Sequence, residues 1–223
     1  LQGEIRTGRG RELRVVSRDA DDLTVFELDG ALAAGHAPVT VRRRIADPGL
    51  FTGHAFAELL RQLTDSSEPL PVSRGPAPAH ARDVAAHRSA PLVEVLASSL
   101  KFSNNFTSEQ VLRTLGWRMS GAPGSWQSGR AAVLALWHAL GLDPADFELE
   151  NGAGLSRHGR ISPRALVALL ARTRAEGSPA AALMPTLASA GGEGTLRRRL
   201  TASDGRVRGK TGTISGVSAL SGV

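Results

Sequence analysis

Near residue 46 the hydrophobic period of the chain changes from two to about 3.6, so one molecule must bury both a sheet face and a set of helix stripes. Residues 11 to 45 alternate in short runs, "ELRVVS", "DLTVFELDG" and "APVTVRRRI", divided by Asp- and Gly-rich turns, which predicts an all-β segment. After "ADPG" the run "LFTGHAFAELLRQL" (50–63) sets Leu50, His54, Ala57, Leu60 and Leu63 at helical spacing. With helices following strands rather than alternating with them, the expected class is α+β.

Further along, a Pro-, Ser- and Gly-rich connector from Ser66 to Pro78 is expected to hold one short strand, "PVSRG". "SAPLVEVLASSL" predicts a helix capped by Ser89, with Pro91 in its first turn, ending near Lys101. "SNNFTSEQVLRTLGW" begins with a polar turn and continues as a helix bearing Phe106, Val111, Leu112 and Leu115, so Ser103 and Asn105 stand at a helix-to-helix junction. Helices are also expected at 128–140 and 163–176, the latter opened by Ser162-Pro163 and stopped before Gly177. "FELENGAGLS" reads as a strand running into a glycine-rich loop. "GRVRGKTGTI" and "VSALSGV" read as a β-hairpin turning at Ser215-Gly216.

Composition removes several classes. With 223 residues, 41% of them hydrophobic, the chain can bury a sizeable core. Its net charge of +6 comes from dispersed arginines, and aromatics make up only 4% with no Tyr to stack on bases, so nucleic acid is not an expected partner. The absence of cysteine excludes disulfides and thiol nucleophiles. The six His residues form no close metal-ligand pair, and neither a metal nor a cofactor is expected. No apolar run approaches the 18 or so residues of a membrane span. Leu1 is not Met and Val223 lies inside an apolar run, so both ends read as cut.

Lysine is the rare cation here: Lys101 and Lys210 stand against 25 arginines, so a need for charge alone would have placed Arg at 210. Lys210-Thr211-Gly212 has a chance expectation of about 0.01 in a chain of this composition. Ser103-x-Asn105, at about 0.3, is weak alone, but it lies at a helix junction about a hundred residues before Lys-Thr-Gly on a strand. That order is the pattern of active-serine acyltransferases.

Around these motifs "ADPGLFTGHAFAELL", "RGPAP", "HRSAPLVEVL", "SNNFTSEQVLRTLG", "NGAGLSRHGRISPRALVALL" and "RVRGKTGTISGVSALSG" follow the order and spacing of the low-molecular-mass class C penicillin-binding proteins. The resemblance covers residues 38 to 223. It implies part of a transpeptidase/β-lactamase-like domain over residues 46–223, an antiparallel sheet flanked by helices, preceded over 1–45 by the end of an inserted β-rich accessory domain. It implies a serine-type D-alanyl-D-alanine carboxypeptidase or endopeptidase with no cofactor, acting outside the cytoplasm on peptidoglycan stem peptides that end in D-Ala-D-Ala. β-Lactam antibiotics would be its inhibitors.

By the same resemblance Lys210, Thr211 and Thr213 line the strand on which substrate docks, with the Thr213 N–H as an oxyanion-hole donor and Gly212 allowing close approach. Ser103 would pass a proton towards the leaving amine, and Asn105 would hold the substrate's amide carbonyl.

Ser98-Ser99-Leu100-Lys101 is the only literal Ser-x-x-Lys, the motif that supplies nucleophile and activating lysine. Five residues of helix turn Ser98 and Ser103 about 140° apart, so the two cannot bracket one carbonyl. The family resemblance implies that the nucleophile lies upstream of Leu1, before the inserted domain. The segment "NGAGLSRHGRISP" resembles the family's Asp-Gly-Ser-Gly-Leu-Ser loop with Asn151 and Ala153 substituted, and Gly152 and Gly154 read as turn residues. Two other readings compete: a non-catalytic relative that binds peptidoglycan peptides, and a class A β-lactamase, which the β segment and the 85–101 pattern fit less well.

Overall fold

The structure is a computed structural model that describes the whole chain except Gly10, Asp21, Asp22 and Arg42. It divides into two compact units, Leu1–Ala85 and Ala86–Val223.

In the first unit, strands β1 (Gln2–Thr7), β2 (Arg11–Ala20) and β3 (Leu23–Leu32) form a sheet in the order β1-β3-β2, with β2 antiparallel and β1 parallel to β3. Half-buried Leu13 and Val15 alternate with exposed Glu12 and Arg14, as a one-sided sheet demands. The expected third strand "APVTVRRRI" does not form: its described residues join no ladder, and Arg42 lies outside the described residues. Val39 and Val41 instead line an apolar groove of about 340 Å³ with Leu13, Val15, Phe26 and Leu28, while the Arg43 guanidinium donates to the Val15 carbonyl at 2.9 Å. Alternation here reflects packing across a sheet face. β1 lies in a stretch with no clear alternation, so hydrophobic periodicity alone does not reveal it.

Helix α1 (Pro48–Leu63) starts two residues before the expected run at Leu50, because the Asp47 carboxylate accepts from the Leu50 N–H at 2.9 Å and Pro48 opens the first turn. "PVSRG" is not a strand: Val72 packs over Gly53, and Arg74 bonds Asp47 at 2.9 Å, so both are spent on helix α1.

The second unit carries helices α2 (Leu92–Phe102), α3 (Asn105–Ser120), α4 (Trp126–Ala139) and α5 (Pro163–Arg174). Ser89 is not the cap of α2. Pro91 occupies that position, and the Ser89 hydroxyl, two residues too early, donates to Ala90 O. α4 opens on a reciprocal Ser125/Ser128 capping box and α5 on Ser162, whose hydroxyl accepts from Ala165 N. α3 and α4 touch backbone to backbone at Gly129, where a Cβ would strike Leu112. Trp137 of α4 is buried, stacks on Phe147 with centroids 4.4 Å apart, and donates its Nε1–H to Asp143 O at 2.9 Å. Leu142 and Ala165 complete this cluster.

β4 (Phe147–Glu148) pairs with β5 (Arg160–Ile161), so the expected strand over "FELENGAGLS" shortens to two residues before the loop begins. β6 (Ala188–Ser189), β7 (Arg208–Ile214) and β8 (Val217–Gly222) form an antiparallel sheet in that order, and β7 turns into β8 at Ser215-Gly216 as expected. α2 lies against β6 and two 3-10 turns, Ala181–Thr186 and Gly194–Leu196. The architecture is α+β. No helix among the described residues is long and apolar enough to cross a membrane.

Candidate active site

Between α2 and α3 the chain has two residues in which to reverse, and Ser103 does it in the left-handed region at φ 60°, ψ 54°. That conformation costs a non-glycine residue roughly 1–2 kcal/mol, so its surroundings must hold it. They do so with hydroxyls. Buried Ser99 donates to Asn104 O at 3.1 Å and shares a hydrogen bond with the Ser108 hydroxyl at 3.0 Å, and Asn104 caps α3 by accepting from Thr107 N at 3.2 Å. The cap is thus Asn104, leaving the side chains on either side of it available.

Lys210, on β7, donates from Nζ to the Ser103 hydroxyl at 2.7 Å and to Thr211 O at 2.5 Å. In sequence 107 residues separate the two side chains. Lys210 is half-buried, and burial holds its pKa below the ordinary lysine value. Among the described residues no carboxylate reaches it. A half-desolvated ammonium served only by dipoles is a seat for an incoming anion.

The backbone of β7 adds a second feature. Arg208 and Val223 exchange both backbone hydrogen bonds at 2.8 Å, so by antiparallel alternation Lys210, Gly212 and Ile214 also point their N–H and C=O groups towards β8. The groups of Thr211 and Thr213 then point to the opposite edge, where β6 pairs only with Arg208 and Gly209. On that edge the Thr211 carbonyl already accepts from Lys210 Nζ, and the Thr211 and Thr213 N–H groups with the Thr213 carbonyl are left, among the described residues, to an extended ligand. A Cβ on Gly212 would meet only Ala219 Cβ at 3.6 Å, an ordinary contact, so the hairpin itself does not require glycine there.

Ser103 and Lys210 are therefore brought together, with Thr211, Gly212 and Thr213 continuing along the same strand. Asn105 stands exposed as the first residue of α3, and its side chain makes no hydrogen bond among the described residues. Ser98 is exposed, and Lys101 spends its ammonium on Glu193 at 2.8 Å. Ser98 and Lys101 form no nucleophile–base pair. No group of three or more His, Cys, Asp or Glu among the described residues could hold a metal.

Sequence reasoning passed over Glu109, whose carboxylate accepts from Gly152 N at 3.2 Å, Ala153 N at 3.0 Å and Trp126 Nε1 at 2.9 Å, pinning the 151–154 loop to α3. It passed over Arg157 as well, which donates to Ser215 O at 3.1 Å and braces the turn of the β7–β8 hairpin. A lone Glu inside a helix and an Arg in an arginine-rich chain carry no signal of such long-range bonds.

Residues 6–223 match the D-Ala-D-Ala carboxypeptidase 3 (S13) family. The chain is similar to the D-alanyl-D-alanine carboxypeptidase of an Actinomadura species, 37% identical over 221 residues that cover 93% of this chain and 40% of that protein. It is similar to carboxypeptidase DacB of Mycolicibacterium smegmatis, 31% identical over 217 residues, with coverage of 92% and 45%. Among solved structures it superposes on penicillin binding protein 4 of Haemophilus influenzae, complexed with a novel beta-lactam, with a TM-score of 0.72 at 27% identity, covering 95% of this chain and 48% of that one. The chain spans less than half the length of these relatives.

Proposed function

The chain belongs to the D-Ala-D-Ala carboxypeptidase 3 (S13) family, and we propose that it is part of a serine-type D-alanyl-D-alanine carboxypeptidase/endopeptidase that acts outside the cytoplasm on peptidoglycan stem peptides and is inhibited by β-lactams. The observation that carries the reading is the 2.7 Å contact of Lys210 with Ser103, made by an ammonium that has no carboxylate partner among the described residues.

In this reading a serine outside these 223 residues attacks the carbonyl carbon of the penultimate D-Ala. The C–N bond breaks, the terminal D-Ala leaves as an amine, and an acyl ester forms that water then hydrolyses. Lys210 draws the terminal carboxylate to the β7 edge and keeps the Ser103 hydroxyl polarised beside the leaving nitrogen, and Ser103 relays to that nitrogen the proton given up by the attacking serine hydroxyl. The Thr213 N–H, directed to the open edge, stabilises the oxyanion. Thr211 and Gly212 seat the peptide backbone, and Asn105 holds its amide carbonyl. Residues 1–45 are then the end of an inserted β-rich domain and 46–223 part of the transpeptidase-like domain.

A labelled penicillin tests this. The full-length protein should be acylated at a serine outside this chain, and Ser103→Ala should slow that acylation by about 10²–10⁴, the usual worth of a positioned acid–base group. The 223-residue chain alone should not be labelled. Labelling of the isolated chain at Ser98, lost in Ser98→Ala, would overturn the nucleophile assignment. A full-length protein that binds stem peptide but is never acylated would instead be a non-catalytic binding relative.

A further inference from the structure

Lys101, the second of the two lysines, is left unused by this chemistry, yet it lies two residues before Ser103 at the end of α2. Its ammonium bonds Glu193 at 2.8 Å across 92 residues of sequence. Its backbone is clamped as well: Gly194 sits at φ +80°, and a Cβ there would collide with the Lys101 carbonyl oxygen and Cγ. The 190–194 segment so gripped leaves directly from β6. Ala190 N donates to Val207 O at 2.9 Å, and Ala188 and Ser189 pair with Gly209 and Arg208 of β7. The connections close into a ring that runs from Lys101 to Glu193 and Gly194, through β6 to β7, along β7 to Lys210, across to Ser103, and back to Lys101. Of the two side-chain links in that ring, one is the candidate site's own Lys210–Ser103 contact and the other is Lys101–Glu193.

We propose that Lys101 is a positioning residue: its bridge to Glu193 fixes the end of α2 against β6 and so sets the Ser103–Lys210 separation on which acylation depends. The inference rests on the reading of the site given above. Lys101 is half-buried, its side chain 30% accessible, but its partner Glu193 is exposed at 73%, so the contribution of the pair to overall stability is small. Proton transfer, by contrast, is sensitive to displacements well below 1 Å. Lys101 is therefore a residue whose loss should register in the rate before it registers in the melting temperature.

A charge swap in the full-length protein tests this, read as the limiting rate constant and half-saturating concentration for acylation by a chromogenic cephalosporin. Lys101→Glu and Glu193→Lys should each lower the limiting rate about three- to tenfold, with the half-saturating concentration within about twofold and the Tm within about 2 °C of the parent. The double variant Lys101→Glu/Glu193→Lys should recover to within about twofold of the parent rate, and Lys101→Met should behave like the single reversals. Single variants at the parental rate, or a double variant no faster than either single, would overturn the proposal. Ser103→Ala in the same assay separates the two claims. If Ser103→Ala is slow and the bridge variants are fast, only the role of Lys101 fails. If Ser103→Ala is as fast as the parent, the site reading itself fails.

Discussion

Lys101 and Lys210 differ in what faces their ammonium groups. Lys101 meets a carboxylate, that of exposed Glu193. Lys210 meets a hydroxyl and a carbonyl, and since both lysines are half-buried it is the partner that separates them. A lysine paired with an exposed carboxylate is electrostatically satisfied, has little to offer a ligand and contributes little to stability. An unpaired, partly desolvated one is held at a cost that an anionic ligand removes, and such local destabilisation is a mark of sites that bind rather than sites that only support.

The contrast is broken most directly by deleting each charge in the full-length protein. Lys210→Met should slow acylation by carboxylate-bearing β-lactams by a factor of about ten to a hundred and fifty, the loss of one charge-assisted anchor of about 1.5–3 kcal/mol. A β-lactam ester lacking the carboxylate should lose less. An equal loss for acid and ester would place the role of Lys210 in the proton path through Ser103 and not in anchoring.

The pH dependence of stability sharpens the comparison next. Burial holds Lys210 below the ordinary value of 10.5, so the folded protein releases this proton before the unfolded chain does. Between the two values the unfolded state binds more protons, and this group's contribution to stability therefore rises with pH across that window. Chemical denaturation of the parent and of Lys210→Met at a series of alkaline pH values should show the rise in the parent alone. Acylation by the carboxylate-bearing β-lactam should decline over the same window, as the anchor loses its charge.

The smallest effect belongs to the paired lysine. Lys101 holds the Glu193 carboxyl below its ordinary 4.5, a contribution present above that value and lost as the pH falls through the lowered one. Lys101→Met should shift an acid-unfolding curve only slightly and leave the Tm at neutral pH within about 2 °C of the parent. A larger loss would show that the clamp on Gly194 depends on the charge and not on the fit of the lysine stem.

Local signals set much of this molecule. Asp47-Pro48 and Ser162-Pro163 start helices where capping chemistry says they should, because a cap and its helix are neighbours in sequence. The Ser215-Gly216 turn fixes the β7–β8 register for the same reason. The order and rarity of Ser103-x-Asn105 and Lys210-Thr211-Gly212 also identified the residues to watch.

Tertiary structure decided what depends on partners far along the chain. "APVTVRRRI" and "PVSRG" have strand-like patterns but pack on a sheet face and on α1, since alternation records burial and not the presence of a ladder partner. Ser99 looks like any helical serine until its hydroxyl is seen holding the turn at Ser103. The different environments of the two lysines are invisible in sequence as well. What separates them is a carboxylate 92 residues from Lys101 and a hydroxyl 107 residues from Lys210, distances over which only the folded chain can choose partners.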